Sequence, residues 1–394
     1  MLDLLAGLLL VSVSTSLGWG LRGVWGHWWG AMVPGAFCGM AIWLAFGSSP
    51  DAWQMLLFGA ALAVSLTIGG TLSTLKIVGY VRGEIPGNEG YHDWSYERSP
   101  LFGLAGVFLV GGMWGLFPGV ALGLLMTDVE YALSDLALWG LLAALSSFLS
   151  YKLLVLGLDL HLSPPRSDTW AAVLGGSVAT IAYFYLGPGD MVVLASGALG
   201  WLGFGFGYQA GALWNRFCVR RGMALPSWKM AEHTIGLFGG LGLGAAAAMA
   251  GELEPFPVGE AGMLASAFTV LWLTPYMNVS NTVEFWLRGK RLDFRTYVPA
   301  DKQDPGPTYI SRRAFAAFQL VAVLSLFIFS YSIFGLVDGW PGTEGYAWPF
   351  VLLVVLLTIA AMGKQRFERS RKMAMVYSVF VAQAAFCVLL AFLV

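Results

Sequence analysis

Long apolar runs alternate with short polar connections from one end of the chain to the other. A helix rises 1.5 Å per residue, so about 20 apolar residues are needed to cross roughly 30 Å of hydrocarbon. Runs near that length fall at 4–20, 31–46, 53–74, 101–126, 137–158, 169–186, 191–213, 233–250, 262–279, 314–337, 347–363 and 374–393. The pattern predicts an all-α fold, a polytopic transmembrane helical bundle of about twelve membrane helices forming a single membrane domain over 1–394.

The charges give a separate reading of the same count. All 22 Lys and Arg fall in, or on the helix ends feeding, the connections after odd-numbered spans, from Arg22 to the run between Lys364 and Lys372. Connections after even-numbered spans carry only acids, among them Asp51, Asp128, Asp190, Glu254 and Asp338. An error of one span would scramble this alternation from that point onward. The positive-inside rule then makes the basic connections cytoplasmic in an inner (plasma) membrane, with both termini outward. The opening MLDLLAGLLLVSVS has no basic n-region and carries Asp3, so it reads as a first span rather than a secretory signal.

Composition agrees. The chain is 57% hydrophobic and 11% charged, against about 25% charged residues in soluble domains. Ordinary soluble classes are excluded, and no basic patch calls for nucleic acid. Cys38 and Cys387 sit in apolar runs and Cys218 lies beside Arg216 and Arg220, so no disulfide is expected. His27, His92, His161 and His233 are not spaced as a ligand set, so no metal is expected, and no cofactor can be named.

Within this frame one stretch stands out. Leu17–Met32, LGWGLRGVWGHWWGAM, places five glycines, four tryptophans, Arg22 and His27 where the first span should end. Each glycine costs roughly 1 kcal/mol relative to Ala in a helix interior, so a broken element is expected. A weaker echo, LGWLGFGFGYQAGAL, occupies 199–213. Either the chain is two parallel six-helix halves, 1–188 and 189–394, related by an axis along the membrane normal, or Gly-Trp matches recur by chance in Gly- and Trp-rich helices. Glycines also recur at every fourth position, as in Gly111, Gly115, Gly119 and Gly123, which reads first as close helix packing. Pro34 and Pro118 lie inside spans and are expected to kink them.

No span midpoint carries an obvious Asp or Glu. Polar residues gather instead near the cytoplasmic ends. Arg22, His27, Lys76, Tyr80 and Arg82 come from the first half, and Tyr208, Gln209, Asn215, Lys229, Glu232, His233, Asn278, Asn281 and Glu284 from the second. If the halves pack face to face, these residues share one inward-facing vestibule for a small polar solute, anionic or sugar-like. Each has a plainer reading. Arg22 can snorkel to lipid phosphates beside an interfacial tryptophan belt. Glu232 in a first helical turn suits the helix dipole, whereas Glu232 with His233 could relay a proton. Asn278 and Asn281 can cap a helix end.

His92 and Asp93, in the polar connection 75–100, are the best pair for acid–base work, although solvated loop polarity explains them as well. No nucleophile, metal pair or phosphate-binding loop accompanies them, so no catalytic residue is assigned. The expected function is a multi-pass transporter or channel for a small polar solute. The alternatives are a membrane-embedded enzyme acting on a lipid or lipid-linked substrate at the cytoplasmic leaflet, and an accessory scaffold. The implied partners are the lipid bilayer and the solute, with oligomerisation left open.

Overall fold

The computed structural model of the protein describes residues 2–25, 29–72, 75–83, 99–162, 168–223, 227–275, 277–278, 347–365 and 371–393. The elements in order are α1 (Leu2–Trp25), α2 (Met32–Phe46), α3 (Ala52–Gly69), α4 (Leu75–Arg82), α5 (Pro100–Met126), α6 (Leu133–Tyr151), α7 (Thr169–Leu186), α8 (Met191–Arg220), α9 (Ser227–Ala250), α10 (Glu260–Ala267), α11 (Trp348–Gln365) and α12 (Arg371–Ala391). A 3-10 turn, Trp29–Ala31, leads into α2. α6 and α10 continue as π-helical turns over Lys152–Gly157 and Phe268–Leu273.

Eight helices among the described residues are long and apolar enough to cross a membrane, and three shorter apolar helices fall on further expected spans. The expected span at 314–337 lies outside the described residues. A helical bundle follows from the solvent: in hydrocarbon every backbone N–H and C=O must be satisfied within its own helix.

Several connections expected on one face do meet there. On the acidic side Gly47 pairs with Leu253, and Gln54 exchanges hydrogen bonds with the main chain of Phe256 at 2.9 and 3.0 Å. Asp190 caps α8 by accepting from Val192 N and Val193 N, both at 3.0 Å. Its other oxygen accepts from Thr127 Oγ1 at 2.7 Å and Tyr131 OH at 2.8 Å. Burial and the Asp190 hydrogen bond hold the Tyr131 phenol above its usual range, so it stays a donor at neutral pH. On the basic side Thr169 Oγ1 donates to Thr71 O at 2.7 Å, and Arg220 to Arg82 O at 3.3 Å.

The centre of the bundle is a chain of close helix pairs, α2 on α3, α1 on α9, α9 on α8 and α8 on α5. Small residues make these approaches possible where lipid offers no hydrophobic drive. α6 packs chiefly on α7 and has no buried residue, so its Leu and Phe side chains face outward.

Three expectations change. Residues 199–213 do not form a broken element but lie inside the unbroken, 30-residue α8. Their glycines are packed against the backbones of α5 and α9, and this contact offsets their poor helix propensity. The first glycine-rich stretch, by contrast, is interrupted as expected: α1 ends within it at Trp25, and a 3-10 turn over Trp29–Ala31 precedes α2. Pro34 is the third residue of α2, where its missing N–H would have no intrahelical acceptor, so it demands no kink. The connection 75–100 opens with α4, whose Ile77, Val78 and Val81 are buried and whose Ile77 and Val81 pack against Gly106 and Gly103 of α5.

Candidate functional site

On α1, Ser16, Gly20 and Gly23 fall at i, i+4 and i+7, one stripe of the helix. On α9, Lys229, Glu232–His233, Gly236 and Gly240 form the matching stripe. α9 begins at Ser227 rather than near 233, so Glu232 stands in its second turn and is only 5% exposed. That removes the first-turn capping explanation for Glu232.

The two stripes interlock. A β-carbon at Gly23 would run into Lys229 Nζ and the Glu232 carboxylate, and one at Gly20 into the His233 ring. Glycine here leaves room for side chains of the neighbouring helix. Glu232 Oε2 accepts from Lys229 Nζ at 2.6 Å and Oε1 from Trp228 Nε1 at 3.0 Å. Ser16 Oγ donates to His233 O at 2.8 Å and accepts from Gln383 Nε2 of α12 at 2.9 Å. The His233 ring lies 5.4 Å from Phe380, and among the described residues neither ring nitrogen has a hydrogen-bond partner.

Arg22 lies on the adjacent face of α1 and is 4% exposed. Its guanidinium carbon sits 4.9 Å from the Trp19 ring centre and 4.7 Å from that of Trp114 on α5, a cation–π contact with two rings that adjoin each other, their centres 5.0 Å apart. Tyr208 of α8 closes the aromatic wall, edge-on to Trp19 at 6.0 Å. Glu232 and Tyr208 are both near enough to act electrostatically on Arg22. The return of the chain covers the stem: a β-carbon at Gly30 would lie 3.0 Å from Arg22 Cγ. Asn278, following the α10 segment, donates to Trp29 O at 3.3 Å and Thr274 O at 2.7 Å, which ties that cover in place.

Of the expected site residues, Arg22, Tyr208, Glu232 and His233 therefore come together, with Asn278 at the edge. They form a packed cluster in place of an open vestibule. Gln209 turns away and donates to Leu104 O of α5 at 3.1 Å. Lys76 belongs to α4, away from α1 and α9 in the chain order, and only its main chain is described. His27, Asn281, His92 and Asp93 lie outside the described residues. Trp19, Trp114, Trp228 and Lys229 complete the cluster. Lys229 was already among the polar residues expected near the cytoplasmic ends, whereas Trp114 carries no signal in a tryptophan-rich chain.

Two other places bear on the chemistry. A half-open groove of about 420 Å³ between α5, α7 and α8 is lined by Leu116, Val120, Ile181, Trp201 and their neighbours, without an ionisable group. At the basic face, His161 lies between two carboxylates, with Nδ1 2.5 Å from Asp168 Oδ2 and Nε2 2.9 Å from Asp159 Oδ1. The Asp168 carboxylate, helped by Asp159 and opposed by burial, holds the imidazole above its usual range. Among the described residues no group of His, Cys, Asp and Glu has a metal-binding arrangement. No family model matches the chain, and no curated protein or solved structure matches it at a significant level.

Proposed function

We propose that the protein is a multi-pass membrane carrier for a small polar, anionic solute, with its recognition site at the cytoplasmic end of α1, α8 and α9. The observation that carries this reading is the burial of Arg22 against the adjoining rings of Trp19 and Trp114, beside the Lys229–Glu232 pair, within helices long enough to span a bilayer. Ionisable groups at such positions are costly, and packing alone does not require them, so a functional role is the default reading. An Arg fork on a rigid aromatic platform is suited to a carboxylate or phosphate edge. A cluster sealed by Gly20, Gly23 and Gly30 fits a carrier in a closed state better than an open channel. The enzyme alternative depends on His92 and Asp93, and no described feature favours it.

The test is uptake of radiolabelled small carboxylates, phosphates and sugars into vesicles holding the purified chain. At least one anionic solute should accumulate above empty vesicles, and Arg22→Gln should lower its initial rate at least tenfold at equal folded protein. Uptake unchanged by Arg22→Gln, or no accumulation of any solute, removes the reading.

A further inference from the structure

We propose that the half-open groove between α5, α7 and α8 is a lipid site. It holds one acyl chain of a phospholipid whose headgroup carries an ammonium, in the leaflet on the acidic side. This site is independent of the carrier reading. Along α8 the groove is lined by Leu194, Gly197, Ala198, Trp201 and Leu202, which share one helix face at i, i+3, i+4, i+7 and i+8. Eight residues of helix make a slot about 12 Å long, running along the helix axis. The buried Leu116 and Val120 of α5 form its base, and the exposed Ile181 of α7 and Leu202 of α8 its rim. α7 packs chiefly on α6 and only lightly on α5 and α8, which leaves the gap.

Depth and lining decide the occupant. The three helices are long and apolar enough to cross a bilayer, so the medium outside the groove is hydrocarbon. Its lining residues lie within about 17 Å of the acidic-side ends of their helices, the depth of one leaflet. Thr180 is the one hydroxyl in the lining. It is already used, donating to Gly176 O at 2.8 Å and accepting from Trp139 Nε1 at 3.0 Å. The N–H edge of the Trp201 indole lies against Gly112 of α5. A methylene chain therefore matches the slot in length and chemistry. Charge decides the headgroup. Leu116, Val120 and Phe184 form one buried cluster on which Tyr131 packs, and Tyr131 OH donates to Asp190. Asp190 has four donors already, whereas Asp128 and Glu130 stand exposed beside it in the same connection as Tyr131. Residues 127–139 and 183–201 contain no Lys or Arg. A net-anionic headgroup meets only carboxylates at this end, and an ammonium meets opposite charge.

The experiment is photolabelling of the full chain in nanodiscs of phosphatidylethanolamine and phosphatidylglycerol in equal amounts. One lipid or the other carries a diazirine midway along one acyl chain, and adducts are located by peptide mass spectrometry. α6 is the reference for surrounding lipid, since its Leu138, Leu141 and Leu145 are exposed on a helix with no buried residue. Labelled phosphatidylethanolamine should mark residues 194–202 at least fivefold more than residues 138–149. Ala198→Trp, which fills the slot from an exposed position, should bring α8 down to the α6 level. Labelled phosphatidylglycerol should mark 194–202 at least threefold less than phosphatidylethanolamine, a preference lost in the double variant Asp128→Asn, Glu130→Gln. Labelling of α8 no stronger than that of α6, or unchanged by Ala198→Trp, overturns the site. Weak labelling of α8 with a two-copy mass in native mass spectrometry gives the groove to a second copy of the chain and also overturns it. Equal marking by the two lipids, or a preference that survives the double variant, overturns the ammonium assignment and leaves an acyl slot. Should Ala198→Trp fail to accumulate, Leu202→Trp is read in the same way, and the wild-type contrast of α8 with α6 decides if neither folds.

Discussion

Where α5 crosses α8, glycine brings main chain against main chain: a β-carbon at Gly115 would strike the Gly200 carbonyl, and one at Gly123 would lie 2.6 Å from Val193 Cα. Where α1 crosses α9, the acidic-side half is built in the same way, with Gly236 and Gly240 against the main chain around Ser12, Thr15 and Ser16. The other half of that second seam differs. Gly20 and Gly23 face an imidazole, an ammonium and a carboxylate. One residue type thus solves two problems, close packing of backbones in the first seam and room for charged groups in the second. A glycine stripe read from sequence does not separate them, because the difference lies on the partner helix.

The comparison breaks most easily at the α5–α8 seam. Gly115→Leu should abolish accumulation of folded, monodisperse protein, since neither backbone can yield to a side chain there. Gly115→Ala should still cost about 1–3 kcal/mol, the usual range for overpacking, read as a lowered unfolding midpoint. A Gly115→Leu variant of normal yield and midpoint would mean the α5–α8 approach is looser than described.

The charged seam is tested next by its ion pair. Lys229→Met leaves the Glu232 carboxylate buried without its ammonium, and removing one partner of a buried pair costs about 3 kcal/mol or more. Lys229 keeps some exposure, so the lower end is expected. The double variant Lys229→Met, Glu232→Leu should recover most of that loss while remaining inactive in uptake. A double variant no more stable than Lys229→Met would show that the pair itself is not the source of the cost.

Gly23→Ala sharpens the contrast with Gly115→Ala. The atoms an added methyl would meet at Gly23 are the ends of flexible side chains, which can shift. Its stability cost should therefore be below about 1 kcal/mol, under the usual overpacking range, whereas uptake should fall because Lys229 and Glu232 are displaced. Equal stability costs at the two glycines would erase the distinction between the seams.

These contrasts also mark what the letters of the chain could and could not carry. Most helix positions among the described residues were legible, because apolar runs of about the length that hydrocarbon thickness sets mark them. The meeting of acidic connections at Gly47 and Leu253, and of Thr71 with Thr169, follows the charge alternation. Arg22, Glu232 and His233 were legible as ionisable groups in apolar surroundings. Their neighbours were not, because which face of α5 presents Trp114 depends on packing angles that periodicity alone does not fix. The unbroken course of α8 through 199–213 was missed for a related reason. Propensity counts the cost of each glycine and omits the close packing that the same glycine allows against both neighbouring helices.

The smallest effect lies outside both seams, at the turn that joins α6 to α7. α6 is held to α7 along its length, as by Ser146 Oγ donating to Gly175 O, and His161 fastens the basic-side end by bridging Asp159 and Asp168. Asp168 is itself buried and also accepts from Leu162 N at 3.1 Å and Trp170 Nε1 at 3.2 Å, so it stays in position whether or not the imidazole is charged. The folded-state value for His161 is raised above its ordinary 6.5. Its contribution is therefore fully present below about pH 6.5 and is lost as pH rises through the raised value. The imidazole is about a third exposed, so solvent screening keeps the contribution to about 1 kcal/mol or less. Hydrogen exchange at residues 159–162 should quicken by severalfold between pH 6 and pH 9 beyond the intrinsic base-catalysed rise, while exchange in the α1–α9 seam should show no such excess. His161→Gln should remove the excess at the turn. An excess that survives the substitution would place the pH response elsewhere in the hairpin, and one shared with the seam would make the two regions a single cooperative unit.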